Sequence, residues 1–135
     1  MKKIAFIFPG QGSQTIGMGK DFFENSDIAK DMISKASTRL GIDFEKLLFE
    51  ENENLGKTEF TQPAILLVSS IALAIFKEKC DITPEFVLGH SLGEFTALVA
   101  SGAIDYLDAI ELVHKRGLFM TAACSGGGAG MMALV

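Results

Sequence analysis

Gly89-His90-Ser91-Leu92-Gly93 follows the apolar run Phe86-Val87-Leu88 and opens into Glu94-Phe95-Thr96-Ala97-Leu98-Val99-Ala100. The pattern is a strand, a sharp turn and a helix, with a serine at the apex. A strand that reverses straight into a helix crowds its own backbone, and a glycine on each side of the serine relieves the crowding. One meaning is a nucleophile elbow, in which Ser91 presents its hydroxyl at the carboxyl end of a strand. The other is a capping box, in which Ser91 and Glu94 satisfy the first amides of the helix. The residues alone leave both open.

Working outward, the chain alternates strands with helices. Lys3 to Phe8 is apolar enough for a central strand, and Pro9 to Gly19 is a glycine-rich loop. Ile28, Ile33, Ala36 and Leu40 recur at helical spacing and predict a helix from about Ser26 to Leu40, ended by Gly41. Phe44 to Glu50 predicts a short helix, and Glu51 to Lys57 a polar connection. Thr61 is expected to cap a long apolar helix running to about Phe76, with Pro63 tolerated in its first turn. That stretch is apolar on nearly every side, so it is expected as a buried helix packed on a sheet, too short to span a bilayer. After the stop signal Ser101-Gly102, a last helix is expected from about Asp105 to Ala123. This order predicts an α/β architecture with a parallel sheet.

The composition fits one globular unit: 135 residues, 48% hydrophobic and 21% charged. A net charge of −5, with no lysine or arginine run, argues against nucleic acid as the main partner. Met1 to Phe8 imitates a signal peptide, but its apolar run is too short for an export core. Cys80 and Cys124 lack the spacing of a disulfide framework or a metal site, which suits a reducing cytoplasm and two packed thiols. At the other end, Ser125-Gly126-Gly127-Gly128-Ala129-Gly130 reads as a hinge leading into the strand-like Met131-Met132-Ala133-Leu134-Val135. An apolar strand needs partners, so the chain is expected to be the first part of a larger protein.

Gly10-Gln11-Gly12-Ser13-Gln14 follows the first strand, where α/β folds place ligand-binding loops. A dinucleotide fingerprint needs a glycine where Thr15 stands, and a P-loop needs Gly-Lys-Ser/Thr where the chain has Gly19-Lys20-Asp21. What remains is a tight turn or a loop whose backbone amides approach a substrate oxygen beside the serine. On the last helix, Asp108, Glu111 and Lys115 form a polar stripe, whereas Arg116 shares its flank with Leu112, Phe119 and Met120. A guanidinium among apolar neighbours keeps its charge and needs an anion or several acceptors, either a structural ion pair or a substrate carboxylate. His114 projects with Ile110 and Leu118 and reads as a satisfied core histidine. His90 adjoins Ser91 on a strand and therefore points to the opposite face. Neither is placed as a general base for the serine.

Phe8-Pro9-Gly10-Gln11-Gly12-Ser13-Gln14, Thr61-Gln62-Pro63-Ala64, Gly89-His90-Ser91-Leu92-Gly93-Glu94 and Arg116, 25 positions after the serine, together resemble the malonyl-CoA:acyl carrier protein transacylases. The resemblance covers essentially the whole chain, in order. It implies an α/β-hydrolase-like large domain interrupted by a ferredoxin-like small domain. Residues 1–125 would be the first part of the large domain, and 126–135 the hinge and first strand of the small one. It further implies Ser91 as the nucleophile that carries the malonyl group, the backbone amides of Gln11 and Leu92 as the oxyanion hole, and Arg116 as the partner of the malonyl carboxylate. Gln62 would line the pocket. The implied partners are malonyl-CoA and acyl carrier protein in fatty acid biosynthesis, with no metal, redox cofactor, nucleic acid or membrane. The family's catalytic histidine lies beyond residue 135, so the segment alone is expected to be inactive. An acyltransferase domain of a polyketide synthase, a serine hydrolase or thioesterase, and a non-catalytic acyl-binding module are the alternatives.

Overall fold

The computed structural model describes residues 3–128 together with Met132 and Leu134. Strands β1 (Ala5–Phe8) and β2 (Phe86–Gly89) pair in parallel, with Phe8 opposite Gly89, so the loops that follow both strands leave the same edge. The inward residues Phe6, Phe8 and Val87 pack against Leu73, Ala97 and Ala100. Ile7, Phe86 and Leu88 lie on the opposite, exposed face. The result is an α/β fold with a small parallel sheet. The strand expected over 131–135 falls outside the described residues, apart from Met132 and Leu134, and the expected hinge is a turn as far as Gly128.

Helix α1 (Lys20–Asn25) follows the first loop without a signal in the pattern, because its N-cap is Gly19 and no side chain caps it. Helix α2 (Asp27–Leu40) is stopped at both ends as expected. The Ser26 hydroxyl accepts from the Ala29 amide, and Gly41 takes the left-handed conformation, φ 65°. Helix α3 (Phe44–Phe49) is capped by Asp43 and buries Phe44 and Leu48 completely. The polar connection after it contains one 3-10 turn, Asn54–Gly56, which buries Leu55.

Helix α4 (Thr58–Lys79) departs most from expectation. It starts at Thr58, not at Thr61, and Thr61 is fully buried inside its first turns, with its hydroxyl against the carbonyls of Leu55 and Lys57. At 22 residues α4 is long and apolar enough to cross a membrane, so length does not exclude that reading. Its apolar surface is nevertheless occupied by protein: Ala64, Leu66 and Leu67 are completely buried. Its main partners are also helices rather than the sheet, namely α6 (Tyr106–Cys124), α5 (Leu92–Ala100) and α2. Leu73 and Phe76 provide its contacts to the sheet, Phe76 edge-on to Phe6 with ring centroids 5.4 Å apart.

Asp105 caps α6 by accepting from the Leu107 amide at 2.8 Å. The polar stripe on α6 is tied to α2: Arg39 donates to Asp108 at 2.7 Å and to Glu111 at 2.9 Å, and Lys115 donates to Glu111 at 2.7 Å. Lys115 and then Arg39 hold the Glu111 carboxyl below its usual range. Cys80 is half-buried and Cys124 is exposed at the end of α6, so only the first approaches the packed thiol expected.

Candidate active site

Ser91 stands between the end of β2 and the start of α5, with φ 49° and ψ −102°. Among the described residues it is the only non-glycine with positive φ. Such a conformation costs on the order of 1–3 kcal/mol and persists where the surroundings over-determine it. Here they do. A Cβ on Gly89 would fall into the backbone of Gly93, and a Cβ on Gly93 would fall onto the Phe8 carbonyl, 2.9 Å from its carbon and 3.0 Å from the Pro9 oxygen. The capping box is not formed: the Ser91 side chain makes no cap bond, and the Glu94 amide donates to the Ser91 carbonyl at 3.1 Å. The hydroxyl is turned elsewhere.

It meets Arg116. The arginine Nη2 donates to Ser91 Oγ at 3.1 Å, and Nη1 donates to Gln62 Oε1 at 2.8 Å. Gln62 is completely buried and fixed from its other end, where Nε2 donates to Met120 Sδ at 3.3 Å. The guanidinium also lies over the Phe95 ring, 5.5 Å from its centroid, a cation–π geometry. Among the described residues no carboxylate pairs with Arg116, whereas Arg39, Lys35 and Lys115 all have acidic partners. The structural ion pair that would have explained this half-buried arginine is absent among those residues. Its two bonds are to neutral acceptors. Beside it runs an apolar groove of about 490 Å³, lined by Phe95, Leu112, Phe119 and Met120 among others.

The loop after β1 closes the third side. The His90 amide donates to the Phe8 carbonyl at 3.2 Å, which extends the strand pairing and brings Gly10 against His90 so closely that a Cβ on Gly10 would strike the His90 carbonyl. Gly12 has φ 109°, and Ser13 folds back through its hydroxyl to the Gly10 carbonyl at 2.8 Å. Leu92 is the first residue of α5, where helix amides lack intrahelical acceptors. Among the described residues, neither the Leu92 N–H nor the Gln11 N–H meets an acceptor. Two amides without an acceptor among the described residues therefore follow the carboxyl ends of neighbouring strands, that of Gln11 in the loop after β1 and that of Leu92 directly after the serine. No group of three histidines, cysteines or carboxylates capable of holding a metal comes together among the described residues.

A family model described as the acyl transferase domain matches residues 5–135. The chain belongs to that family. It is 48% identical to the malonyl CoA-acyl carrier protein transacylase of Bacillus subtilis, over the whole chain and 43% of that relative. Among solved structures, the malonyl-CoA:acyl carrier protein transacylase from Helicobacter pylori superposes with a TM-score of 0.90 at 48% identity, covering 93% of this chain and 41% of that one. A malonyl-transacylase in complex with its type II PKS acyl-carrier protein superposes with a TM-score of 0.86 at 41% identity, covering 90% of this chain and 40% of that one. The chain thus spans less than half the length of the relatives it matches.

In this acyl transferase segment the five anticipated positions, Ser91, Arg116, Gln62, Gln11 and Leu92, lie on three neighbouring surfaces: the two strand ends and the α4–α6 contact. Neither histidine bonds to Ser91 Oγ. His114 Nδ1 instead lies 2.8 Å from the Glu59 carbonyl. That carbonyl is the one Pro63 would have bonded had it carried an N–H, so His114 replaces a bond the proline removes. The histidine is satisfied as expected, but it is half-buried rather than part of the core. Two residues of the site have no counterpart in the sequence reading. Thr58 accepts from Gln11 Nε2 at 3.0 Å, and Gly117 lets α6 approach the backbone of Thr58 and Glu59. The signal for Gly117 is a glycine inside an otherwise strong helix pattern, which points to a close backbone approach.

Proposed function

We propose that the chain supplies the nucleophile and the acyl-recognition groups of a malonyl-CoA:acyl carrier protein transacylase. The observation that carries this is Arg116: a half-buried guanidinium bonded to the serine hydroxyl, with no acidic partner among the described residues. A substrate carboxylate placed there gains charge-assisted hydrogen bonds that an uncharged acyl group cannot make. A plain serine hydrolase has no use for such an arginine, which favours the transacylase over that rival.

Ser91 Oγ attacks the thioester carbonyl of malonyl-CoA, its proton passing to a base, and a C–O bond forms. The carbonyl oxygen becomes an oxyanion, received by the Gln11 and Leu92 N–H groups. Collapse of this intermediate breaks the C–S bond, and the CoA thiolate leaves with the proton. The phosphopantetheine thiol of acyl carrier protein then attacks the seryl ester, the acyl group moves to sulfur, and Ser91 recovers its proton. The base is a histidine further along a polypeptide of the relatives' length, and the segment by itself is inactive. In the same proposal residues 1–125 belong to an α/β-hydrolase-like large domain, and 126–135 open a ferredoxin-like small domain. The setting in that proposal is fatty acid biosynthesis.

The experiment is to mix the complete polypeptide carrying this segment with malonyl-CoA, measure intact mass and map the adduct. A malonyl ester on Ser91, abolished in Ser91→Ala, is expected. An adduct on Cys124 or another residue overturns the assignment.

A further inference from the structure

The start of α4 touches both halves of the site. Thr58, the first residue of α4, accepts from Gln11 Nε2 at 3.0 Å, across 47 positions of sequence. Gln62, on the next turn, accepts from Arg116 at 2.8 Å. The stretch that carries them is fixed independently of the loop. The Glu59 carbonyl is bonded by His114, Glu59 Oε2 accepts from the Thr121 hydroxyl at 2.9 Å, and Gly117 lies against the Thr58 carbonyl and the Glu59 backbone. Among the described residues, the other hydrogen bonds of the Gly10–Gln14 loop are internal: the Ser13 N–H and hydroxyl meet the Gly10 carbonyl, and the Gly12 N–H meets Gln14 Oε1 at 2.8 Å. Gln11 is exposed, and Gly12 has the backbone freedom of a glycine at φ 109°. The side-chain bond to Thr58 ties Gln11 to the start of α4, and the backbone N–H of the same residue is the one that the proposed function assigns to the oxyanion.

We infer that Thr58 is a positioning residue for transacylation: through the Gln11 side chain it sets the Gln11 N–H in register with the turn that orients Arg116. This rests on the acyl-serine function proposed above. An amide that receives the oxyanion acts in the transition state more than on the bound thioester, so its misplacement lowers kcat and leaves KM nearly unchanged. The Thr58 hydroxyl does not touch the substrate in this scheme. Its effect must therefore pass through Gln11.

The test uses the complete transacylase with malonyl-CoA and carrier protein. Thr58→Val keeps the shape and removes the acceptor; Thr58→Ser keeps the hydroxyl; Gln11→Ala removes the donor and leaves the backbone amide. A lost hydrogen bond compounded by a shifted loop predicts a fall in kcat of about 10-fold for Thr58→Val. The KM for malonyl-CoA should stay within about twofold, because uniform binding is untouched. Thr58→Ser restores the rate. Gln11→Ala shows the same loss, and the double variant Thr58→Val with Gln11→Ala is no worse than either single one, since both remove one interaction. Additive losses, equal losses for Val and Ser, or a raised KM at unchanged kcat overturn the proposal. Malonylation of Ser91 in the unsubstituted enzyme is measured alongside. If it occurs and Thr58→Val transfers at the normal rate, the positioning role alone is wrong. If it does not occur, the functional assignment falls, and the role of Thr58 with it.

Discussion

Gly117→Ala isolates the α4–α6 contact on which the site is built. Gly117 is buried in the middle of a 19-residue helix, where alanine is intrinsically better by roughly 1 kcal/mol. The structure reverses that preference. A Cβ at this position would lie 2.6 Å from Glu59 Cα, 2.8 Å from the Thr58 oxygen and 2.9 Å from Glu59 N, all backbone atoms that cannot swing aside. Ordinary contact begins at 3.4 Å, so the two helices must part by about 0.8 Å. Overpacking of this kind costs about 1–3 kcal/mol, so net destabilisation is about 0–2 kcal/mol after the propensity gain. Function should suffer more than stability. The separation moves Gln62 away from Arg116, whose bond spans 2.8 Å, and displacements near 1 Å can cost up to about 100-fold in rate. Denaturant unfolding and malonyl transfer, measured on the same preparation of the complete enzyme, give both numbers. A variant stabilised by about 1 kcal/mol, as propensity alone predicts, with transfer unchanged, refutes the close approach and the role assigned to it.

Arg116→Ala should lower malonyl transfer at least ~10-fold, since hydrogen bonds to charged groups contribute about 1.5–3 kcal/mol, while acetyl transfer falls less. Steady-state assays with the two thioesters check it, and equal losses mean that Arg116 only supports the fold. The Tyr106 phenol is pushed up to about 12, first by burial and then by Asp31 and Asp105. Its folded state keeps the proton after the unfolded chain has lost it, so this contribution is complete below pH ~10 and disappears as pH rises towards 12. Denaturant unfolding from pH 9 to 11.5 should show a shallower loss in Tyr106→Phe; an unchanged slope contradicts the assignment.

The serine turn was legible because its determinants are local. Two glycines, a serine, an apolar run and a helical run occupy one continuous stretch, and Ser91 takes the strained conformation the turn requires. Arg116 was legible through periodicity, since a residue that leaves the polar stripe of its helix must find partners elsewhere. The start of α4 was misread for an equally physical reason. Thr61 before Pro63 resembles a cap, but its hydroxyl folds back onto the carbonyls of Leu55 and Lys57, and the helix begins at Thr58 without a side-chain cap. The polar stripe of α6 is legible as a stripe, but nothing local in the sequence reveals its partner Arg39, 72 positions from Glu111. Gln62 entered only through family resemblance, for a buried glutamine has no signature until its arginine is known. Thr58 has no signature either, since its meaning lies in a bond to a loop 47 positions away, whereas Gly117 shows as a glycine inside a helix pattern but not which backbone it approaches.

The bond between His114 and the Glu59 carbonyl spans 55 positions of sequence. Had residue 63 been anything but proline, that carbonyl would have been satisfied inside α4, and the helix could have completed its first turns alone. Proline makes the completion conditional: the stretch bearing Thr58 and Gln62 has its full set of bonds only when α6 has docked. The two walls that hold the serine's surroundings should therefore gain and lose order together, as one cooperative unit in hydrogen exchange rather than two helices that fray independently. A rigid site is obtained here by making a local helix depend on a distant one.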